Sequence, residues 1–412
     1  MTGGGRGKGA LRSGTAPPPE PAGATAPVTG ARVSGVDVAR GLALFGMMAT
    51  HVFDTIADDG SPTTATVVAA GRSAATFALI AGVSVAFLSG GRRGVHGRDR
   101  TAAAAGLAVR AGLIGAIGLL LGTVGSVEVI LPFYALMFLL AVPLLPLRPR
   151  TLAVLCGAFA VAGPVLLVTT ARLGLEYGTD PDLTPLTALT DPLGTLLQLL
   201  VTGAYPVVVY LAYLCAGLAI GRLDLTSRRV AGWLLGGGLA LAVTSRLVSW
   251  VLLGPLGGLD RLVAARSRYD SPAEAVTELL WQPEQGSSWW YLAVASPHAH
   301  SPLDVTHVLG SAMVVLGGAL LLTSVPAARR LLQPLAAAGA MTLTLYSAHV
   351  LVLAAEPFDD SGDLYLFLVL TSLAFAVLWR RDHAQGPLER WVGAPSTQAR
   401  RAVLDKARVP GR

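Results

Sequence analysis

Ten apolar blocks, most of them close to 20 residues long, recur along this chain, at 36–56, 66–90, 102–123, 129–147, 151–171, 196–221, 230–253, 305–325, 335–356 and 364–380. About 20 apolar residues are what a helix needs to cross the roughly 30 Å hydrocarbon layer of a bilayer. The blocks predict an all-α, polytopic integral membrane protein with about ten transmembrane helices. The sixth opens as an interfacial helix around Leu193–Val201, which would raise the count to eleven. Only 14% of the residues are charged and 53% are hydrophobic, whereas a soluble chain carries about 25% charged residues. An ordinary cytosolic enzyme, a disordered protein and a disulfide-stapled secreted domain are excluded.

The charges lie in alternate connections. One set holds Arg92, Arg93, Arg98 and Arg100, then Arg148 and Arg150, Arg222, Arg228 and Arg229, Arg329 and Arg330, and Arg380 and Arg381. The other set is acidic or neutral apart from Arg172, Arg261, Arg266 and Arg268. Basic loops stay in the cytoplasm, so both termini are expected there. The net charge of +6 reports topology, and no nucleic-acid partner is expected. With 29 Arg against 2 Lys, the composition suggests a GC-rich bacterial genome and a multi-pass place in the cytoplasmic (inner) membrane. Residues 1–33 read as a disordered cytoplasmic tail, 34–382 as the membrane domain with a long outer loop at 256–304, and 383–412 as a second cytoplasmic tail. No signal peptide is expected, because Asp37 and Arg40 interrupt the start of the first block. Cys156 and Cys215 lie in apolar blocks and predict no disulfide or zinc site.

Ionisable residues within apolar blocks are costly and mark function. In SGVDVARGLALFGMMATHVFD, Asp37 and Arg40 are one turn apart, and His51 follows Arg40 by eleven residues. At 1.5 Å per residue that is about 16 Å, close to three whole turns. One helix stripe thus carries a guanidinium suited to phosphate at its cytoplasmic end and an imidazole suited to proton or acyl transfer at its outer end. The bland alternative is an Asp37–Arg40 pair fixing the helix entrance and a His51 bonded to another helix. Tyr346 and His349 share a face of the ninth block, with His349 at a depth like that of His51.

R-G-L-A-L-F-G-M-M-A-T-H, preceded by V-D-V-A, resembles the first helix of membrane acyltransferases. Its Arg, ten residues, then His is similar to the acyltransferase-3 family, whose presumed catalytic residue is that His. The D-x-x-R-G opening resembles the heparan-α-glucosaminide N-acetyltransferase family and the bacterial domain-of-unknown-function 418 family. ATFALIAGVSVAFLSG, R-A-G-L-I-G-A-I-G, YPVVVYLAYLCAGLAIGRLDL and P-L-A-A-A-G-A-M-T-L-T-L-Y-S-A-H resemble later segments in the same order. In the heparan branch the catalytic His lies in the loop after the first helix; here that loop, DTIADDGSPTTATVV, has none, which leaves His51.

The resemblance implies acyl transfer from acyl-CoA, most simply acetyl-CoA, to a hydroxyl or amine of a small-molecule or glycan acceptor. Catalysis would fall to His51 and His349, two imidazoles flanking one cavity as a base and oxyanion-donor pair, with Tyr346 beside His349 and Asp54 orienting the His51 imidazole. Asp37, Arg40 and Arg110 would hold the CoA donor. Arg72, His298, Asp304 and Trp289 would meet the acceptor; the plain alternatives are an Arg72 pair with Asp54 or Asp58, an Asp304 helix cap and a Trp289 interfacial belt. No metal is expected, because Pro297 and Pro302 keep PHAHSPLDVTH extended. The lipid bilayer is the expected surrounding, and a homodimer is compatible with the sequence. No nucleotide P-loop or G-x-S-x-G elbow is present. A small-molecule transporter or permease, or a non-catalytic membrane protein, is the alternative reading.

Overall fold

The computed structural model describes residues 33–175, 183–265, 272–281 and 286–405. The tail expected before Val33, Arg266, Arg268 and the last residues after Asp405 lie outside the described residues. The chain opens with α1 (Ser34–Val52), α2 (Thr64–Ala69), α3 (Arg72–Leu88), α4 (Gly97–Gly122), α5 (Leu131–Ala141) and α6 (Pro149–Arg172). Next come α7 (Pro185–Thr190), α8 (Pro192–Leu197), α9 (Val207–Gly221), α10 (Arg228–Leu253), α11 (Gly258–Ala264) and α12 (Pro272–Trp281). The last six are α13 (Pro302–Thr323), α14 (Pro326–Leu331), α15 (Gln333–Gly339), α16 (Thr342–Ala354), α17 (Ser361–Asp382) and α18 (Pro387–Asp405). Proline opens α6, α7, α8, α13 and α14 near their first positions, where its missing N–H has no helical partner to lose.

Each apolar block falls on a helix or on a pair of helices. Among the described residues six helices are long and apolar enough to cross a membrane, or eight if two bent pairs each count as one span. α1, interrupted by Asp37 and Arg40, and α5, with 11 residues, are not among those six. The stretch expected to lie at the interface is α8 followed by a π-turn at Gln198–Thr202, bent by 58° from α9. The second bent pair is α15 and α16, which meet at 81°.

α9 is apolar all round and buried along most of its length, as a central helix must be. It packs on α3 and α6. A Cβ on Gly217 would overlap the Leu79 carbonyl, and one on Gly82 the Leu214 carbonyl. Glycine at both positions therefore lets the two backbones touch.

Arg222 staples one face of the bundle. Its buried guanidinium donates to the carbonyls of Ser89 at 3.0 Å, Gly91 at 2.5 Å and Leu145 at 2.7 Å. Three arginine-bearing connections, after α3, α5 and α9, are thereby gathered at one end. α18, in the region read as a tail, docks along α4 at that same end, with Arg400 donating to Leu88 O at 3.1 Å and Ser396 to Gly106 O at 2.7 Å. The acidic and neutral connections meet at the opposite face, where Gly71 touches His298 and Ser126 touches Val350.

Candidate active site

His51 lies in the last turn of α1. Its Nδ1 is 2.9 Å from Nε2 of His349 on α16, and the two rings stack with centroids 5.2 Å apart. His349 is 1% exposed. Tyr346, one turn earlier, meets the His349 ring edge-on at 4.9 Å, and its hydroxyl oxygen accepts from the Ile130 N–H at 3.3 Å. Nδ1 of His349 is buried without a hydrogen-bond partner, on the side of the Leu345 and Tyr346 carbonyls in the preceding turn. A proton there suits those carbonyls and leaves Nε2 as the acceptor. His51 then donates from Nδ1 and keeps a lone pair on Nε2, the form a general base needs.

His51 borders a cavity of about 460 Å³ whose walls also include Thr50, Thr66, Ser73, Glu128, Tyr205, Trp281 and His298. Glu128 and Tyr205 were not singled out as site residues, since they lie at or beyond helix ends where no periodicity marks a face; Trp281 stood out in the sequence only as part of a cluster with Trp289, Trp290 and Tyr291, suited to an interfacial belt or to stacking on a sugar ring. His298 reaches the wall from the connection between Ala293 and Pro302. Its Nε2 accepts from the Gly71 N–H at 3.1 Å. Both His298 and His300 adopt left-handed backbone, φ 62° and 50°. The turn is held by Ser301 Oγ donating to Val294 O and by the His300 N–H donating to Asp304 Oδ2 at 3.0 Å. Desolvation holds His298, an exposed residue on the cavity wall, down to about 4 and the more enclosed His300 down to about 3, which favours the neutral imidazole at both.

Several expected partners are different. Ser301, not Asp304, caps α13: its hydroxyl accepts from the Asp304 N–H at 3.0 Å, and Asp304 instead secures the histidine turn. Arg72 pairs with neither Asp54 nor Asp58; it donates to Val67 O at 2.8 Å and to His307 Nε2 at 3.1 Å. His307 Nδ1 is bonded to Ala242 O at 3.0 Å, and His300 Nε2 to Ala204 O at 3.1 Å. The three loop-proximal histidines thus each hold a partner on a different element. Asp54 is exposed beyond the end of α1; His349 takes the His51 Nδ1 that Asp54 was expected to orient. Trp289 lines a separate apolar cleft with Trp290, Leu252 and Leu303, under the Arg172 guanidinium at 5.5 Å. The tryptophan at the histidine cavity is Trp281.

Towards the arginine-rich face, Arg40 bonds Asp37 Oδ1 and the Gly339 carbonyl, both at 3.1 Å, and Ser84 Oγ at 2.9 Å. It thus joins α1, α3 and the C-terminus of α15. Across the break, Glu389 from α18 accepts from the N–H groups of Leu343 at 2.6 Å and Thr344 at 3.2 Å. Each half-helix end at the bend therefore faces a charge of the sign its dipole favours. Arg110 lies where Arg40 and Glu389 both act on its charge. Ser84 and Glu389 were not foreseen from the sequence.

The model of the heparan-alpha-glucosaminide N-acetyltransferase catalytic family matches residues 32–245. That stretch runs from α1 into α10 and contains Asp37, Arg40, His51, Arg72, Arg110 and Glu128; His298, Tyr346 and His349 lie beyond it. No curated protein matches the chain.

Proposed function

The chain belongs to the heparan-alpha-glucosaminide N-acetyltransferase catalytic family, and on that premise we propose that it moves an acetyl group from acetyl-CoA to an amine or hydroxyl of a sugar-containing or other envelope or secondary-metabolite acceptor. The observation that carries this reading is the bonded His51–His349 pair beside an open cavity. The acceptor enters from the face of acidic and neutral loops. Nε2 of His51 takes the proton as the acceptor nitrogen or oxygen attacks the thioester carbonyl. The tetrahedral intermediate collapses, the C–S bond breaks, and the imidazolium returns its proton to the CoA thiolate. His349 holds the His51 ring and its tautomer. His298, Trp281 and Glu128 meet the acceptor, with Arg72 and Asp304 behind them, and Asp54 and Trp289 lie farther out. On the arginine-rich side Arg40, steadied by Asp37, and Arg110 face the CoA phosphates, for which a guanidinium is the fitting partner.

In this reading α1 and α5 also cross the bilayer, giving ten spans in a catalytic domain at 34–382 of a bacterial cytoplasmic-membrane protein. Both termini are cytoplasmic, and a homodimer is compatible with it. The test is thermal shift of the purified protein with CoA and acetyl-CoA, since a ligand of the folded state must raise its melting temperature. Wild type is expected to be stabilised and Arg40→Ala to lose the effect. Acetylation of amino sugars is expected to disappear in His51→Ala. No shift at millimolar CoA removes the donor site. The two bent helix pairs favour a second reading, since broken helices occur at transporter substrate sites; substrate uptake into proteoliposomes by a protein blind to CoA would establish it.

A further inference from the structure

When a nucleophile adds to a thioester, the carbonyl oxygen becomes an oxyanion. A donor fixed in advance at that oxygen supplies a large part of the catalysis in acyl transfer. His51 and His349 are engaged with each other through Nδ1 and Nε2. Tyr346 lies behind His349 and is not part of the cavity wall. The hydroxyls of Thr50 and Thr66, which are in the wall, already donate to the carbonyls of Met47 at 2.9 Å and Thr55 at 2.8 Å. Ser73 and Tyr205 carry hydroxyls that turn about their C–O bonds. His298 is different, because its protonation is dictated by its surroundings.

The Gly71 amide can only donate, so Nε2 of His298 carries a lone pair. The ring is therefore neutral and its proton sits on Nδ1. An imidazolium has no lone pair to offer Gly71 and would break this contact. The desolvation that holds this histidine down to about 4 favours the same form. The ring is part of the cavity wall, near enough to His51 for their charges to interact. It is carried by a non-glycine residue at φ 62°, a costly conformation that clusters at functional sites. Gly71 itself has φ 70°, a left-handed backbone that favours glycine, and packs directly against the backbone of Pro297 and His298. Two unusual backbone positions thus combine to set one ring.

Resting on the acetyl-transfer reading, we infer that His298 is a catalytic residue whose Nδ1–H binds the thioester carbonyl oxygen and stabilises the oxyanion. The new C–N or C–O bond forms as the carbonyl π pair moves onto oxygen. His298 keeps its proton throughout, while His51 carries the proton that leaves the acceptor. When the intermediate collapses, the pair returns to the carbonyl and the thiolate departs.

The test compares wild type, His298→Phe and His298→Gln with acetyl-CoA and a panel of amino sugars including glucosamine. The Phe variant keeps a ring but no donor; kcat should fall about 10²- to 10³-fold, with KM for acetyl-CoA little changed. The Gln variant retains an N–H and should recover part of that loss. Retained stabilisation by CoA shows that a variant is folded; if His298→Phe fails this check, the Gln comparison decides. In parallel, ¹⁵N spectra of histidine-labelled wild type, assigned by difference from the Gln variant, should show His298 protonated on Nδ1. An Nε2–H tautomer, or a folded Phe variant with wild-type kcat, overturns the inference and leaves the acetyl-transfer reading standing. A wild type that acetylates no acceptor overturns both.

Discussion

A single proton is shared by His51 and His349, and this makes the role of His349 separable from that of His51. Removing the base should abolish transfer. Removing the partner should leave a base that is misoriented or in the wrong tautomer, and general-base catalysis is worth about 10²- to 10⁴-fold. His349→Ala is expected to lower kcat within that range, and His349→Gln, whose side-chain carbonyl can accept from His51 Nδ1, to lower it less. Initial rates of acetyl transfer check this; equal rates in both variants would assign His349 to packing alone. The stripe from Arg40 to His51 was legible because helical periodicity is local. The common depth of His51 and His349 was legible from the alternation of loop charge. Their bond was not, because the residues are 298 positions apart. Arg72 misled for a related reason: Asp54 and Asp58 are close in sequence, while its partner His307 comes from α13.

Elements meet by devices that a one-dimensional reading does not contain. The break between α15 and α16 is visible in the string G-A-M-T-L-T only as a weak helix stop and start. Its stability comes from Arg40 on one end and Glu389 on the other, and Glu389 arrives from a segment the sequence offers as a tail. The carboxylate caps two backbone N–H groups and the Thr344 hydroxyl. Glu389→Ala should therefore destabilise the protein by about 1–2 kcal/mol, the upper part of the range for helix-capping side chains. Glu389→Gln should cost less, because its one carbonyl oxygen can still accept from the two backbone N–H groups while the charge and the acceptor for the Thr344 hydroxyl are lost. Melting temperatures in detergent measure both; no change in the Ala variant would mean that the α16 terminus finds another cap.

At the scale of the molecule, sidedness was the most legible property. The arginine-bearing connections gather at one end of the bundle, where Arg222 physically ties three of them together. The number of helices able to span was less legible, since apolar content marks a block but not its bends. Acid stability is also a whole-molecule property here. His298 and His300 lie near 4 and 3 when folded, against about 6.5 for an unperturbed imidazole. The unfolded chain therefore binds protons first as the pH falls, and linkage makes the folded state lose stability. The melting temperature should hold above about pH 7, fall from about pH 6.5, and stop responding to these groups below their folded values. His298→Gln should flatten the upper part of that slope in a pH series of thermal melts, and an unchanged slope would show that His298 titrates normally.

The histidine pair also has a consequence for biogenesis. One partner is made 298 residues before the other. At about 5–20 residues per second, the 298 residues between them occupy the ribosome for roughly 15–60 s. Throughout that interval the imidazole of the first helix must reside in the nascent bundle without its mate. The reaction centre is therefore assembled only when α16 inserts, and a chain that stalls before α16 carries half of it.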